Sequence, residues 1–230
     1  MTVIGFDADD TLWVTEPYFY EAEQQFLRLV ADYGESAALE RTMFDVILQN
    51  LSDYGYGAKS FTLSLVEAAL RISDNRIEPA KIREILDLGK SLLRHPVELL
   101  PGVAETLEKL ARQYRLIVVT KGDLLDQERK LEKSGLARFF HHVEILSDKT
   151  SAGYRKLVTH LGIRPEELLM VGNSVKSDIL PVLEIGGRGV YIPFPVMWEH
   201  ELSDPPHGHP RFDEIARIAD ILPLLGMEVR

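Results

Sequence analysis

Residues 3–13 read VIGFDADDTLW. A short apolar run ends in three carboxylates within four positions: Asp7, Asp9 and Asp10. Such a run, stopped by polar residues, is read as a buried strand. Like charges this close raise one another's pKa and cost stability unless something offsets them. The stretch therefore predicts a core strand and, where that strand ends, a polar site. Along an extended chain, Asp7 and Asp9 face one side and Asp10 the other. Asp10 is expected to brace the turn by local hydrogen bonds, as Asp often does.

Downstream the character changes. From Glu16 to about Arg94 the chain reads as four helical blocks with no β pattern between them. In the first, Thr15 is the expected N-cap, Pro17 lies in the first turn and Gly34 stops the helix. Phe19, Ala22, Phe26, Leu29 and Val30 fall at helical spacing. After Pro96 strands and helices alternate. Apolar strands are expected at 115–120, 141–146, 167–172 and 189–192, and Pro181 should distort its helix or shift the helix start. A loop rich in Pro and His leads to a last expected helix over Phe212–Leu225. Alternation of this kind means βαβ units and a parallel sheet covered on both faces. The fold class is thus α/β, a Rossmann-like core of residues 1–13 and 96–230 with an all-α domain, residues 14–95, inserted after the first strand.

Composition narrows the function. The 230-residue chain is 45% hydrophobic and 27% charged, ordinary for a globular protein. It contains no cysteine, which excludes disulfides, thiolate metal sites and a cysteine nucleophile and suits a reducing cytoplasm. The N-terminus lacks the basic and apolar regions of a signal peptide, and apolar runs of about five residues are too short for a membrane span. A formal net charge of -10 argues against nucleic-acid partners, which need a basic face.

In open parallel sheets, sites form beyond the carboxyl ends of the strands. Those ends carry Asp7 and Asp9; then Thr120, Lys121 and Asp123; then Asp148 and Lys149; then Asn173, Ser174 and Asp178. Carboxylates, a hydroxyl, an ammonium and a carboxamide together suit phosphoryl transfer: a nucleophile, a proton carrier, oxygen ligands for a hard cation, and a positive charge for phosphate oxygens.

These residues resemble the four motifs of the haloacid dehalogenase (HAD) superfamily of hydrolases, in the right order. DADDT matches the first motif, DxDxT. Thr120 in VVTKGD matches the second, Lys149 in SDKTS the third, and GNSVKSD is similar to the fourth, GDxxxxD, with Asn173 in place of its first acid. The helical insertion sits where that family's type-one cap sits. The resemblance implies a HAD-like three-layer core and a Mg²⁺-dependent phosphatase acting on a small phosphorylated metabolite. It implies Asp7 as nucleophile, Asp9 as general acid and then base, and Thr120 and Lys149 as phosphate-binding groups; Lys121, next to Thr120, either binds phosphate too or is exposed. Asp7, Asp9, Asn173 and Asp178 are the candidate metal ligands, with Asp178 alternatively orienting Lys149. Ser174 and Ser177 read as helix caps. The rivals are a 2-haloacid dehalogenase, whose carboxylate attacks carbon without a metal, and a non-catalytic binding protein on the same fold. The expected assembly is a monomer or homodimer.

Within the cap, the loop at 52–60, SDYGYGAKS, either reaches the leaving group through Tyr54, Tyr56 or Lys59 or is a plain interhelical turn with its tyrosines packed on the cap. Trp13 is read as lining the entrance or packing in the core, and Trp198 as packing on the core or at a dimer interface. His207 and His209, without other ligand types nearby, read as loop residues.

Overall fold

The structure is a computed structural model and describes residues 3–228. Within them the chain runs β1 (Val3–Phe6), α1 (Glu16–Val30), α2 (Ser36–Tyr54), α3 (Ala58–Ile72), α4 (Pro79–Arg94), α5 (Val103–Leu110), β2 (Arg115–Lys121) and α6 (Leu124–Ser134). It continues with β3 (His142–Leu146), α7 (Ser151–His160), β4 (Leu168–Gly172), α8 (Leu180–Glu184), β5 (Arg188–Tyr191), β6 (Phe212–Glu214) and α9 (Ile221–Leu224). The chain divides into two compact units. One takes residues through Glu16, Val97–Lys121 and everything from Gln127 on; the other takes Pro17–Pro96 and Gly122–Asp126.

The first unit is built on one sheet. Among the described residues it has six strands in the order β3-β2-β1-β4-β5-β6, each parallel to its neighbours. β1 is central: Val3 lies opposite Arg115 of β2 and Leu168 of β4. Both faces of these strands are buried, which is why they read as unbroken apolar runs. Ile4, Phe6, Leu116 and Val118 pack on one face with Val103, Leu107 and Leu110 of α5. Val3, Ile117, Val119 and Met170 pack on the other with Tyr154, Leu157 and Val158 of α7. The chain builds outward from β1 to β2 and β3, then crosses back to β4. The strand order therefore reverses between β1 and β4, and the carboxyl ends of strands at such a reversal are where open α/β sheets bind their ligands.

Two expectations for this unit change. Phe212–Glu214 form a sixth strand on β5, not the start of a helix, and the last helix shrinks to Ile221–Leu224. The strand is held by the β5 ladder and by Arg188, which pairs with Asp213 at 2.7 Å across it. Pro181 behaves as expected. It sits in the first turn of α8, and the preceding Val175–Ile179 is wound as a wider π-helical turn.

The second unit is helical. α1 buries Ala22, Phe26 and Val30, α2 buries Leu39, Met43, Val46 and Ile47, and Phe61 and Leu65 of α3 and Ile85 of α4 are buried too. The loop expected at 52–60 is shorter. α2 runs through Tyr54 and α3 starts at Ala58, leaving three residues. Gly55 and Gly57, at φ of 70° and 105°, make so short a connection possible. Among the described residues, no helix is long and apolar enough to cross a membrane.

Candidate active site

Asp7 lies one residue beyond β1. Its backbone N–H still donates to Val171 of β4 at 2.8 Å, so the strand ladder fixes where the side chain starts. Its carboxylate is paired through Oδ1 with the ammonium of Lys149, from the segment after β3. The same ammonium bonds Asp178 Oδ1 at 2.7 Å. All three side chains are almost wholly inaccessible to solvent. Burial pushes the Asp7 pKa up to about 7, against the pull of Lys149. Burial also works against the Lys149 charge, but Asp178 and Asp7 outweigh it and hold its pKa above the ordinary value. One cation thus serves two acids, and charge is left over at Asp7.

Asp178 is committed on both oxygens. Its Oδ2 accepts from the Ser174 backbone N–H at 3.0 Å. The π-helical turn carries it back against Gly172, where any Cβ would collide with its carboxylate. Ser174 caps that turn, its Oγ accepting from Ser177 N–H at 3.0 Å, as its position suggests.

Asn173 reaches the other side of Asp7. In the orientation that satisfies both ends of the amide, its nitrogen donates to Asp7 Oδ2 at 3.1 Å and to the Asp9 carbonyl and Thr11 Oγ1, each at 3.2 Å. Thr11 also donates to Asp7 Oδ2, at 3.1 Å. Among the described residues no group of three or more His, Asp or Glu side chains could hold a metal ion. The Asp7 carboxylate, the Asp9 carbonyl and the Asn173 amide nevertheless converge, and with the amide turned about all three offer oxygen. That donor set suits a hard divalent cation such as Mg²⁺. Thr120, at the end of β2, is buried with its hydroxyl 3.4 Å from the Lys121 carbonyl.

Asp9 is differently wired. Its Oδ1 accepts from Trp13 Nε1 at 2.8 Å, Thr15 Oγ1 at 2.7 Å and Lys130 Nζ at 2.9 Å; its Oδ2 accepts from Gln127 Nε2 at 2.7 Å. Burial would raise its pKa, but the Lys130 charge and these hydrogen bonds hold it at about 2. Thr15, the expected cap of α1, thus gives its hydroxyl to Asp9. Asp10 takes the first amides instead, accepting from Thr15 N–H at 2.8 Å and Glu16 N–H at 2.9 Å. This is the turn-bracing role its spacing suggests, and its φ of 62° is one that Asp tolerates. Burial lifts the Asp10 pKa to about 7 despite those bonds. Trp13 is 1% exposed and belongs to the core.

Lys121 turns to Ser177 Oγ at 3.0 Å and Glu201 Oε1 at 2.7 Å. Glu201 comes from the loop between β5 and β6 and also accepts from Ser174 and Ser177 through Oε2, at 2.6 and 2.5 Å. Burial alone would raise its pKa, yet Lys121 and the two hydroxyls hold it at about 2. In the same loop Trp198 lies against His200, ring centroids 4.9 Å apart, while His207 and His209 are exposed. In the helical unit Tyr54 donates to Glu67 at 2.6 Å, and Lys59 pairs with Asp123 at 2.8 Å.

Sequence reading brought out Asp7, Asp9, Asn173, Asp178 and Lys149, and the structure groups them around one strand end. It missed Gln127, Lys130 and Glu201. Gln127 and Lys130 stand three apart on the helix after β2, so they share a face; that spacing was the available signal. Glu201 lies in a loop with no periodicity to mark it.

A strand-end carboxylate thus stands against a buried lysine at the switch point of a parallel sheet, the place where α/β folds of this kind bind their ligands. The sequence model of the haloacid dehalogenase-like hydrolases matches residues 1–186, and the chain belongs to that family. It is 29% identical over 190 residues to a glyceraldehyde 3-phosphate phosphatase of Methanocaldococcus jannaschii, covering 80% of this chain and 81% of the relative. It is 25% identical to a pyrimidine 5'-nucleotidase of Escherichia coli, covering 80% and 82%. A haloacid dehalogenase-like family hydrolase from Xanthomonas campestris superposes with a TM-score of 0.88 at 35% identity, over 98% of this chain and 91% of the other.

Proposed function

We propose that the chain is a divalent-cation-dependent phosphatase that hydrolyses a small phosphorylated metabolite through an aspartyl-phosphate on Asp7. The observation that carries this reading is the setting of Asp7: one oxygen on Lys149, the other beside the Asn173 amide, which itself reaches the Asp9 carbonyl. Two of the named relatives act on phosphate monoesters, one a triose phosphate and one a nucleotide. Their difference is why the substrate is proposed as a class.

In the reaction, a carboxylate oxygen of Asp7 attacks phosphorus in line, and the bond from phosphorus to the leaving oxygen breaks. That oxygen takes a proton from Asp9, which enters the step protonated: the negative charge of the bound phosphate ester works against the Lys130 charge that otherwise keeps this carboxyl ionised. Asp9, now ionised, takes a proton from water as the water attacks the phosphoryl group on Asp7, which frees phosphate and restores both acids. Lys149 balances the charge of the phosphoryl oxygens and of Asp7. Asp178 holds Lys149 in place rather than binding the cation, since both its oxygens are engaged. Thr120 donates to a phosphoryl oxygen. Asp7 Oδ2, the Asp9 carbonyl and the Asn173 amide oxygen would hold Mg²⁺. When bound, the cation lowers the charge repulsion between Asp7 and an anionic substrate. The helical unit, residues 14–95 in this reading, acts as the cap, with Lys59 and Tyr54 as selectivity candidates.

A second reading, attack on the carbon of a haloacid, draws support from Asn173, whose amide already satisfies Asp7 without a cation. One experiment separates the two. Phosphate release is followed on a panel including 4-nitrophenyl phosphate, glycerol 3-phosphate, glyceraldehyde 3-phosphate and a pyrimidine nucleoside monophosphate. Wild type and Asp7→Asn are compared with Mg²⁺ and with EDTA. The expected result is Mg²⁺-dependent release by wild type alone. No release above Asp7→Asn on any ester overturns the phosphatase, and halide release from a 2-haloacid in EDTA favours the second reading.

A further inference from the structure

If Asp9 carries the proton, its carboxylate must present the same oxygen at every turnover. Its four donors divide unevenly. Among the described residues, Trp13, Thr15 and Lys130 converge on Oδ1, while Oδ2 accepts from Gln127 alone. A carboxylate oxygen has two lone pairs. Oδ1 is therefore saturated, and Oδ2 keeps one lone pair with which to take and give a proton.

Two of those donors come from far along the chain. Gln127 and Lys130 stand one turn apart on α6, facing the same way. Gln127 is 5% exposed, and its Nε2 bridges Asp9 Oδ2 and the Lys121 carbonyl, the latter at 2.9 Å. Its Oε1 is buried and has no hydrogen-bond partner among the described residues. Burying an amide with one end unsatisfied is unfavourable, and a Leu or Met would fill the same space without that cost. The amide is thus best explained by what its nitrogen holds. Lys130 adds the charged contact on the opposite oxygen, and the two together fix both the tilt and the rotation of the carboxylate.

We propose that Gln127 and Lys130 are positioning residues for Asp9: Lys130 anchors Oδ1 and Gln127 aims Oδ2, the oxygen that exchanges the proton. The inference rests on the phosphatase reading, in which Asp9 protonates the leaving group. That step matters most when the leaving oxygen is a basic alkoxide, because phosphorus–oxygen cleavage then needs the proton delivered. It matters little for 4-nitrophenolate, which leaves as a stable anion.

The test compares kcat/KM for the best alkyl ester of the panel with kcat/KM for 4-nitrophenyl phosphate. kcat/KM reports the first phosphoryl transfer, and the ratio of the two values within one preparation does not depend on how much of a variant is folded. Gln127→Leu changes no charge and is expected to lower the alkyl value about tenfold and the aryl value less than about threefold, a part of the 10²–10⁴ that general acids contribute. Lys130→Met should move the ratio the same way, and Lys130→Arg should restore it. Equal losses on both esters, no loss, or a gain on the alkyl ester in Gln127→Leu would overturn the proposal. If wild type splits neither ester, the phosphatase reading itself falls. If it splits both and the ratio stays fixed in the variants, only the positioning role falls.

Discussion

Asp7 and Asp9 stand two residues apart, yet the structure treats them in opposite ways. Asp7 is almost wholly buried, shares one lysine with Asp178 and has its pKa lifted to about 7 by burial. Asp9 is surrounded by four donors, one of them a lysine of its own, and its pKa is held at about 2. Among protein groups, the first carboxylate has one shared cation near it and the second has a cation of its own. Chemistry that brings a cation to the site would relieve the first and leave the second in place. The contrast shows that spacing along a strand decides where acids point, whereas distant segments decide what each acid can do.

The comparison can be broken at Lys149. Lys149→Met leaves two buried acids without their shared cation, and breaking a buried ion pair in this way costs about 3–5 kcal/mol. Urea unfolding at neutral pH should show a loss of that size, and a loss below about 1 kcal/mol would mean the acids are neutral in the folded protein. A second effect lies at the edge of the site. Glu201 has a depressed pKa in the fold, so its contribution is present above its ordinary value of about 4.5 and fades as pH falls toward 2. Between pH 6 and pH 3 the wild type should lose about 2 kcal/mol more than Glu201→Gln, at roughly 1.4 kcal/mol per pKa unit. Parallel stability–pH curves for the two proteins would contradict the Lys121–Glu201 account. The smallest effect sharpens the role of Asn173. Asn173→Asp adds a charge to the oxygen cluster and should lower the Mg²⁺ concentration for half-maximal activity about tenfold. An unchanged requirement would place the cation away from this side chain.

Much of the fold could be read from the chain because central strands of a parallel sheet are apolar on both faces. Val3–Phe6, Arg115–Lys121 and Leu168–Gly172 announce themselves, and polar residues just past them mark a site. Phe212–Glu214 did not, because a three-residue edge strand with two acids has no apolar run and depends on its neighbour for stability. The reversal of strand order between β1 and β4 is likewise a property of tertiary packing. Gln127 and Lys130 sit in LLDQERKLEKS, whose polar residues look like an ordinary solvated helix face until Asp9 is seen beneath them. Thr15 had the right chemistry for a helix cap, and lost that place because Asp10 reached the amides first.

The central claim is that Asp7 becomes phosphorylated during turnover. Wild-type enzyme is mixed with substrate and Mg²⁺, quenched in acid within the steady state, digested and mapped by mass spectrometry. The account predicts one phosphoryl group on the peptide containing Asp7, absent from Asp7→Asn and from enzyme quenched without substrate. Steady release of phosphate with no phosphoryl group on that peptide, or with one at another residue, would contradict it.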